Sequence, residues 1–412
     1  MTLPKIVKDG LTLVGGNAWA QAIAFVAYLV LGRLYTPQHF AAFNIFYSYI
    51  EVLIILSTCR YELSIVVADT DREAQAAARL ALRLNTVVSL LLLTLIGALT
   101  LCGVVLPVAS SIALLVPFMV FFCGTTRVYT FLFNRFKRFG PIALSEIVTA
   151  TTGVVAKIGM AFTVLLPWGL PLGTVVGKMA GNVNYLFRLR SLPLPQHITA
   201  GERKAVARKF RNFPLYNMPK ELVSSFSYNL PFLWLALYFP QSPAVGLFGL
   251  ALTFTFRPVN IFNSVFEKLL YVRVAEKVRE GQSISGDIRR FLLMLNAVAL
   301  PLFVLLWFFA EPLFTLLFGA RWEGIGYYVR CLLPWVYVVL SSSSLSFLAN
   351  VFGRQRSEFL FYLVLLALRI GAVVYGIVSH DFDTAILLFS LSSAAMSAVL
   401  LVWYLTLRPQ KQ

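Results

Sequence analysis

The chain is poor in charge. Of its 412 residues only 13% are Asp, Glu, Lys or Arg, while 59% are hydrophobic. A water-soluble domain carries about 25% charged residues. The deficit excludes an ordinary soluble enzyme or binding module and points to a polytopic membrane protein. Acid is scarcer still: 18 Asp and Glu stand against 35 Lys and Arg, a formal net charge of +17. Cysteine is also rare. Cys59, Cys102, Cys123 and Cys331 lie in or beside apolar runs and form no CxxC pair. They imply no disulfide framework or thiolate metal site and read as small buried apolar residues. The three histidines, His39, His197 and His380, fall in separate connections without metal-ligand spacing. No Ser/His/Asp set, paired loop carboxylates or metal cluster points to catalysis, and no cofactor is implied.

What the chain has in quantity is long apolar runs. A helix needs about 20 mostly apolar residues to cross the hydrocarbon core. Twelve runs meet this: 11–34, 41–67, 82–104, 111–133, 142–164, 169–188, 213–238, 243–266, 290–310, 325–350, 357–378 and 384–406. Lys5 and Lys8 precede the first, which is too long for a signal-peptide core and reads as a membrane helix. Alternate connections hold 25 of the 35 Lys and Arg residues, and the opposite set holds only Arg33 and Arg321. Cations mark the cytoplasmic side, so both termini are expected there, in agreement with an even span count. The basic excess is then mainly an orientation signal. It argues against nucleic-acid binding and leaves cations for anionic lipid headgroups. Trp168, Trp234, Trp307 and Trp322 fall towards the opposite interface, as an aromatic belt does. Glu311, Glu323, Asp381 and Asp383 read there as solvated loop charges.

The long basic connector 190–212 follows the sixth span. It predicts an N-terminal bundle over 1–189 and a C-terminal bundle over 213–412, six helices each. Gly173, Gly177 and Gly181 make a doubled GxxxG, a spacing that lets helix backbones approach. Pro214, Pro219, Pro231 and Pro258 predict kinks in spans seven and eight.

Eight cations remain inside spans: Arg60, Arg127, Lys157, Lys178, Lys220, Arg257, Arg330 and Arg369. Six lie deep, and facing lipid these would together cost roughly 15–20 kcal/mol, more than the ~5–15 kcal/mol stability of a typical protein. They require a partner or water. Arg60 and Arg330 lie nearer span ends, where snorkelling is the alternative. The acids within spans are only Glu51, Glu62, Glu146 and Glu221. Eight cations against four acids leave a positive surplus, which predicts an anionic ligand in a wet cavity. Lys157 follows Glu146 by about three turns on one helical face. Three polar stripes, each centred on a cation, favour the cavity: Thr174, Lys178, Asn182 and Tyr185; Asn217, Lys220, Ser224 and Ser227; Thr253, Arg257, Asn260 and Ser264. Within 41–67, Glu62 shares a face with Asn44, Ser48, Glu51 and Thr58. In a regular helix Arg60 and Glu62 point about 200° apart and do not pair. Arg60 then meets another helix, reaches headgroups or sits at a kink that turns it inward.

The stretch "CRYELSIVVADTDREA" resembles the end of the second span in Wzx-type polysaccharide flippases, part of the multidrug/oligosaccharidyl-lipid/polysaccharide exporter superfamily. "FPLYNMPKELVSSFSYNLPFLWLALYF", "AVGLFGLALTFTFRPVNIF", "LFGARWEGIGYYVRCLLPW" and "NVFGRQRSEF" match in the same order and cover both halves. The resemblance implies an all-α membrane protein of twelve helices in two six-helix bundles around a central cationic cavity. It implies a flippase of the bacterial inner membrane, moving an undecaprenyl-pyrophosphate-linked oligosaccharide to the periplasmic leaflet, as in O-antigen and lipopolysaccharide synthesis. A polysaccharide polymerase and chain-length machinery are the implied partners. Arg and Lys suit a pyrophosphate, and Asn, Ser and Thr suit sugars. Outward movement of a ligand of charge about −2 releases roughly 4–5 kcal/mol per 100 mV, inside negative. Proton or sodium exchange through the buried glutamates is the other energy source. Two alternatives stand beside this one. A multidrug exporter of the same superfamily calls for an acid-dominated lumen. A polymerase, ligase or glycosyltransferase calls for catalytic residues and usually a larger periplasmic loop.

Overall fold

A computed structural model of the chain describes residues 25–104, 110–190, 198–235, 242–259, 284–352 and 354–407, together with residues 23, 192, 238, 239 and 274. Among these residues every regular element is helical. In hydrocarbon each backbone N–H and C=O must be satisfied within its own segment, and a helix does this. Contacts divide the chain into two compact units, Met1–Ser225 and Phe226–Gln412.

In the first unit α1 (Phe25–Leu34) leads into α2 (Pro37–Thr58), which starts on a proline that needs no N–H partner there. A 3-10 turn (Tyr61–Leu63) and the short α3 (Ser64–Val67) follow. Next come α4 (Asp71–Leu101), α5 (Ser110–Ala113), α6 (Val116–Arg135), α7 (Phe139–Ala161), α8 (Gly169–Leu189) and α9 (Ala200–Lys209). The unit closes in α10 (Met218–Leu230), which the division between units cuts. The second unit continues with α11 (Pro243–Val259), α12 (Ser285–Phe318), α13 (Ile325–Ser343), α14 (Phe347–Val351), α15 (Gln355–Val378) and α16 (Phe382–Thr406). Eight of the described helices are long and apolar enough to cross a membrane. With α1, α8, α10 and α11, each of the twelve expected spans has a helix in place.

Three boundaries differ from expectation, each for a physical reason. The expected span 41–67 is broken after Thr58, as described below. Helix α4 begins at Asp71, well before the apolar run, and has 31 residues, about 46 Å at 1.5 Å per residue. Its polar first turns are capped by Thr70 and buried through alanines: Ala74, Ala76, Ala77, Ala78 and Ala81 join Val128, Leu132, Phe133, Tyr185 and Val206 in one apolar cluster. Helix α12 runs on to Phe318, so Glu311 is not a loop charge. Its carboxylate accepts from the N–H groups of Gly324 (2.6 Å) and Gly326 (2.7 Å), capping α13. Asp381 likewise caps α16, and Asp383 accepts from the Tyr328 hydroxyl at 2.5 Å.

Smaller corrections concern single side chains. Trp322 is fully buried rather than placed in an aromatic belt, because the turn Ala320–Trp322 folds it against Phe318. Cys123 and Cys331 are buried, but Cys102 is exposed at the end of α4. The proline kinks of span seven take the form of π-helical turns, Phe213–Asn217 and Pro231–Leu235, on either side of α10.

The doubled GxxxG lies in the seam between α7 and α8. A Cβ on Gly177 would sit 2.6 Å from Thr149 O and 2.9 Å from Gly153 Cα, and one on Gly173 would sit 2.5 Å from Lys157 Cγ. These glycines are packing devices that let two backbones touch. The connector 190–212 is no loose linker where it is described. Helix α9 carries a Thr199/Glu202 capping box and packs on α4. Lys209 Nζ bonds Asp69 (2.7 Å) and Glu73 (2.5 Å), Arg72 pairs with Glu202, and Tyr61 donates its hydroxyl to Ala207 O at 3.1 Å.

Candidate functional site

The expected lumen charges begin at the break in span two. Cys59 and Arg60 both adopt left-handed backbone, φ 49° and 61°. Neither is glycine, and a left-handed L-residue costs roughly 1–2 kcal/mol. The pair stops α2 and starts the 3-10 turn, so regular-helix geometry no longer applies. Arg60 and Glu62 therefore do meet, Nη1 to Oε1 at 3.6 Å, and Arg60 Nη2 lies 3.8 Å from Glu221 Oε2 on α10. This corrects the expectation that they cannot pair; the kink turns Arg60 inward. Glu62 is fully buried, and neither carboxylate oxygen accepts a hydrogen bond. Arg60 is its only ion-pairing partner among the described residues.

A second set of charges gathers around α6. Lys178 (α8), Arg127 (α6), Glu146 (α7) and Glu51 (α2) all lie within electrostatic reach of the buried Cys123 on α6. The sequence had placed them on four spans without relating them. All four are half-buried, and Arg127 Nη1 is buried without a hydrogen bond. Lys157, also half-buried, holds its ammonium over the Phe43 ring at 5.3 Å, and its carbonyl accepts from Tyr35.

Asn182 has a different use from the one its stripe indicated. Its Nδ2 donates to Phe122 O (3.0 Å), Thr126 Oγ1 (3.0 Å) and Lys178 O (2.8 Å), binding α8 to α6. Asn85 on α4, which belongs to none of the polar stripes, does the same one residue back, donating to Phe121 O (2.8 Å) and Thr125 Oγ1 (3.2 Å). The two amides grip adjacent positions of α6, about 100° apart, and so fix its rotation. Arg127 follows directly, and its direction is set by these clamps. The available signal is the Thr125–Thr126 doublet in one apolar run with single asparagines, Asn85 and Asn182, in two others. On α10, Lys220 and Glu221 are half-buried and Asn217 is exposed at the end of the π-turn.

In the second unit Arg369 is buried and fully engaged in a box. Nε donates to Ser393 Oγ (2.8 Å) and Nη1 to Ser227 Oγ (3.0 Å). The guanidinium faces Trp335 (4.8 Å) and Phe389 (4.7 Å), with cation–π attraction in place of a counter-ion. It joins α10, α15 and α16. Arg257 is half-buried near the end of α11, and Asn260 lies outside the described residues. Glu358, at the start of α15, was also missed. It is buried and accepts from Tyr404 Oη at 2.6 Å.

Against known proteins, a family model described as "Polysaccharide biosynthesis protein" matches residues 30–326. An inward-facing MATE multidrug-resistance transporter of the MOP superfamily aligns with TM-score 0.67 at 13% identity, over 92% of this chain and 93% of that one. The lipid II flippase MurJ, inward closed, gives 0.71 at 12% identity over 96% and 88%. A MOP transporter from Pyrococcus furiosus, described as having reversed polarity of its binding pocket, gives 0.57 at 12% over 97% and 94%. No curated protein sequence matches. Identities this low carry the fold alone: that of the multi-span MOP-superfamily transporters.

Proposed function

The chain belongs to the polysaccharide biosynthesis protein family and has the fold of the MOP-superfamily transporters; from that premise we propose that it is a flippase for an undecaprenyl-pyrophosphate-linked oligosaccharide. It moves its cargo from the cytoplasmic to the periplasmic leaflet of the inner membrane by alternating access, with both termini cytoplasmic. It does so as a transporter, without bond-making chemistry. The observation that carries this reading is the cation excess inside the spans, eight against five acids once Glu358 at the start of α15 is counted. A multidrug exporter for cationic drugs needs the opposite balance.

Half-buried Arg60, Arg127, Lys157, Lys178 and Lys220 are the first unit's groups for an anionic cargo such as the pyrophosphate, and half-buried Arg257 is a candidate of the second unit, taken by itself. Arg369, held by its box, contributes fixed positive charge. Glu51, Glu62, Glu146 and Glu221 balance the cations or carry a coupling ion. Asn217 and Asn260 are the polar groups for sugar, and Asn182 shapes the helix pair that presents Lys178.

The test is to delete the gene and follow the lipid-linked glycan by leaflet, then complement with Lys178→Gln or Arg257→Gln. Cytoplasmic-leaflet accumulation that neither variant relieves, with both inserted at normal levels, is the expected result. Glycan fully accessible outside in the deletion strain would sink the proposal, and loss of the lipid-linked glycan itself would point to an enzyme.

A further inference from the structure

At its basic end the first unit uses its acids internally. Asp69 and Glu73 pair with Lys209, Asp71 with Arg135, and Glu202 with Arg72. Arg135 is further spent on the carbonyls of Ile65, Val66 and Ala68. Six other cations at this end are exposed and take part in no ion pair among the described residues: Lys137, Arg138, Arg190, Lys204, Arg208 and Arg211. One apolar cluster brings them together. Phe136, Phe139, Leu189, Val206 and Phe210 all pack in it, and each cation is within two residues of one of these.

Beside this charge the surface becomes apolar within about one helical turn. Phe187 is 76% exposed just before Arg190, and Leu215 and Tyr216 are 60% and 71% exposed just after Arg211. A sharp passage from exposed hydrocarbon to exposed cation is the profile of a bilayer interface. A nucleic acid or an acidic protein has no use for the apolar half. We infer that this collar is a binding surface for anionic phospholipid headgroups, with α9 lying at headgroup depth. The acid pairs on its inner side hold α9 against α4, and its outer Lys204 and Arg208 meet the lipid. The inference is independent of the transported cargo, and its test contains none.

The full chain in neutral detergent is titrated with dioleoylphosphatidylglycerol and, separately, with dioleoylphosphatidylcholine, and bound lipid is counted by native mass spectrometry. A cation near an anionic headgroup is worth roughly fivefold in affinity. Wild type is expected to prefer phosphatidylglycerol by at least about fivefold, and K204Q/R208Q/R211Q, which removes half of the collar, to lower that preference at least about fivefold with unchanged helical content. A second measurement needs no variant: added salt screens exposed charges, so the wild-type preference falls steeply with ionic strength. Equal binding of the two lipids by wild type, a preference undiminished in the triple variant, or one insensitive to salt overturns the inference.

Discussion

Arg60 stands in two ion pairs that the structure makes unequal. Nη1 lies 3.6 Å from Glu62, whose side chain is 0% exposed, and Nη2 lies 3.8 Å from Glu221, whose side chain is 45% exposed. Removing one partner of a buried pair strands the other charge and costs about 3–5 kcal/mol. A pair with a half-exposed member is worth about 0–1 kcal/mol. Glu62 accepts no hydrogen bond that could take over once the arginine is gone. Arg60→Gln is therefore expected to destabilise by about 3–5 kcal/mol. For a unit of this size that lowers Tm by roughly 6–20 °C. Glu62→Gln removes the charge that would be stranded, so R60Q/E62Q should be little worse than E62Q alone. In a double-mutant cycle the Arg60–Glu62 coupling is then about 3 kcal/mol, and the Arg60–Glu221 coupling stays below about 1 kcal/mol. Unfolding in mixed micelles, followed by far-UV circular dichroism, supplies the free energies. Equal couplings for the two pairs, or an Arg60→Gln protein as stable as wild type, would refute the reasoning.

Two further predictions follow from packing and from charge. Gly177→Ala places a Cβ 2.6 Å from a backbone oxygen in the α7–α8 seam, and should destabilise by about 1–3 kcal/mol. Gly97→Ala has open space and should gain up to about 1 kcal/mol from helix propensity, so thermal unfolding curves that shift the same way for both would contradict the packing role. Arg72 and the backbone and hydroxyl of Thr199 hold the Glu202 carboxyl down to about 2, from an ordinary 4.5. A depressed carboxyl stabilises above its unfolded value and loses that contribution as pH falls through the folded one. Docking of α9 should thus be constant from neutral pH to about 5 and weaken from 4.5 towards 2. Amide exchange over 200–209, corrected for intrinsic rates, measures this, and weakening already between pH 8 and 6 would count against it.

The spans were legible because the bilayer leaves the backbone few choices. Hydropathy alone then locates a helix for each run. Their ends were less legible, since the polar residues of α4 and the Glu311 region of α12 continue helices beyond the hydrocarbon. The break at Cys59–Arg60 had no local signature, having neither glycine nor proline. It is held by tertiary contacts such as Tyr61 Oη to Ala207 O, 146 positions away, which no periodicity detects. Arg369 was found because a charge in an apolar run is conspicuous. Its partners were not found, because two serines and two aromatic rings are ordinary residues until the fold brings them together. Asn85 escaped for the complementary reason: a neutral amide in an apolar run carries too small a penalty to demand an explanation.

Counted by unit, the intramembrane charges separate. Arg60, Arg127, Lys157, Lys178 and Lys220 fall in the first unit together with Glu51, Glu62, Glu146 and Glu221, five cations against four acids. Arg257, Arg330 and Arg369 fall in the second, where the only buried carboxylate among the described residues, Glu358, is taken by Tyr404. The two sets differ in what movement costs them. In a nearly balanced network a cation can exchange one carboxylate for another, as Arg60 lies between Glu62 and Glu221, and each step replaces most of the Coulomb energy it gives up. Arg369 has no carboxylate partner among the described residues. Leaving its box gives up two hydrogen bonds and two ring contacts for uncompensated charge in low dielectric. On the transport reading proposed above, Arg60 in the first unit is placed to change partners during a cycle, and Arg369 in the second supplies positive charge that stays in place.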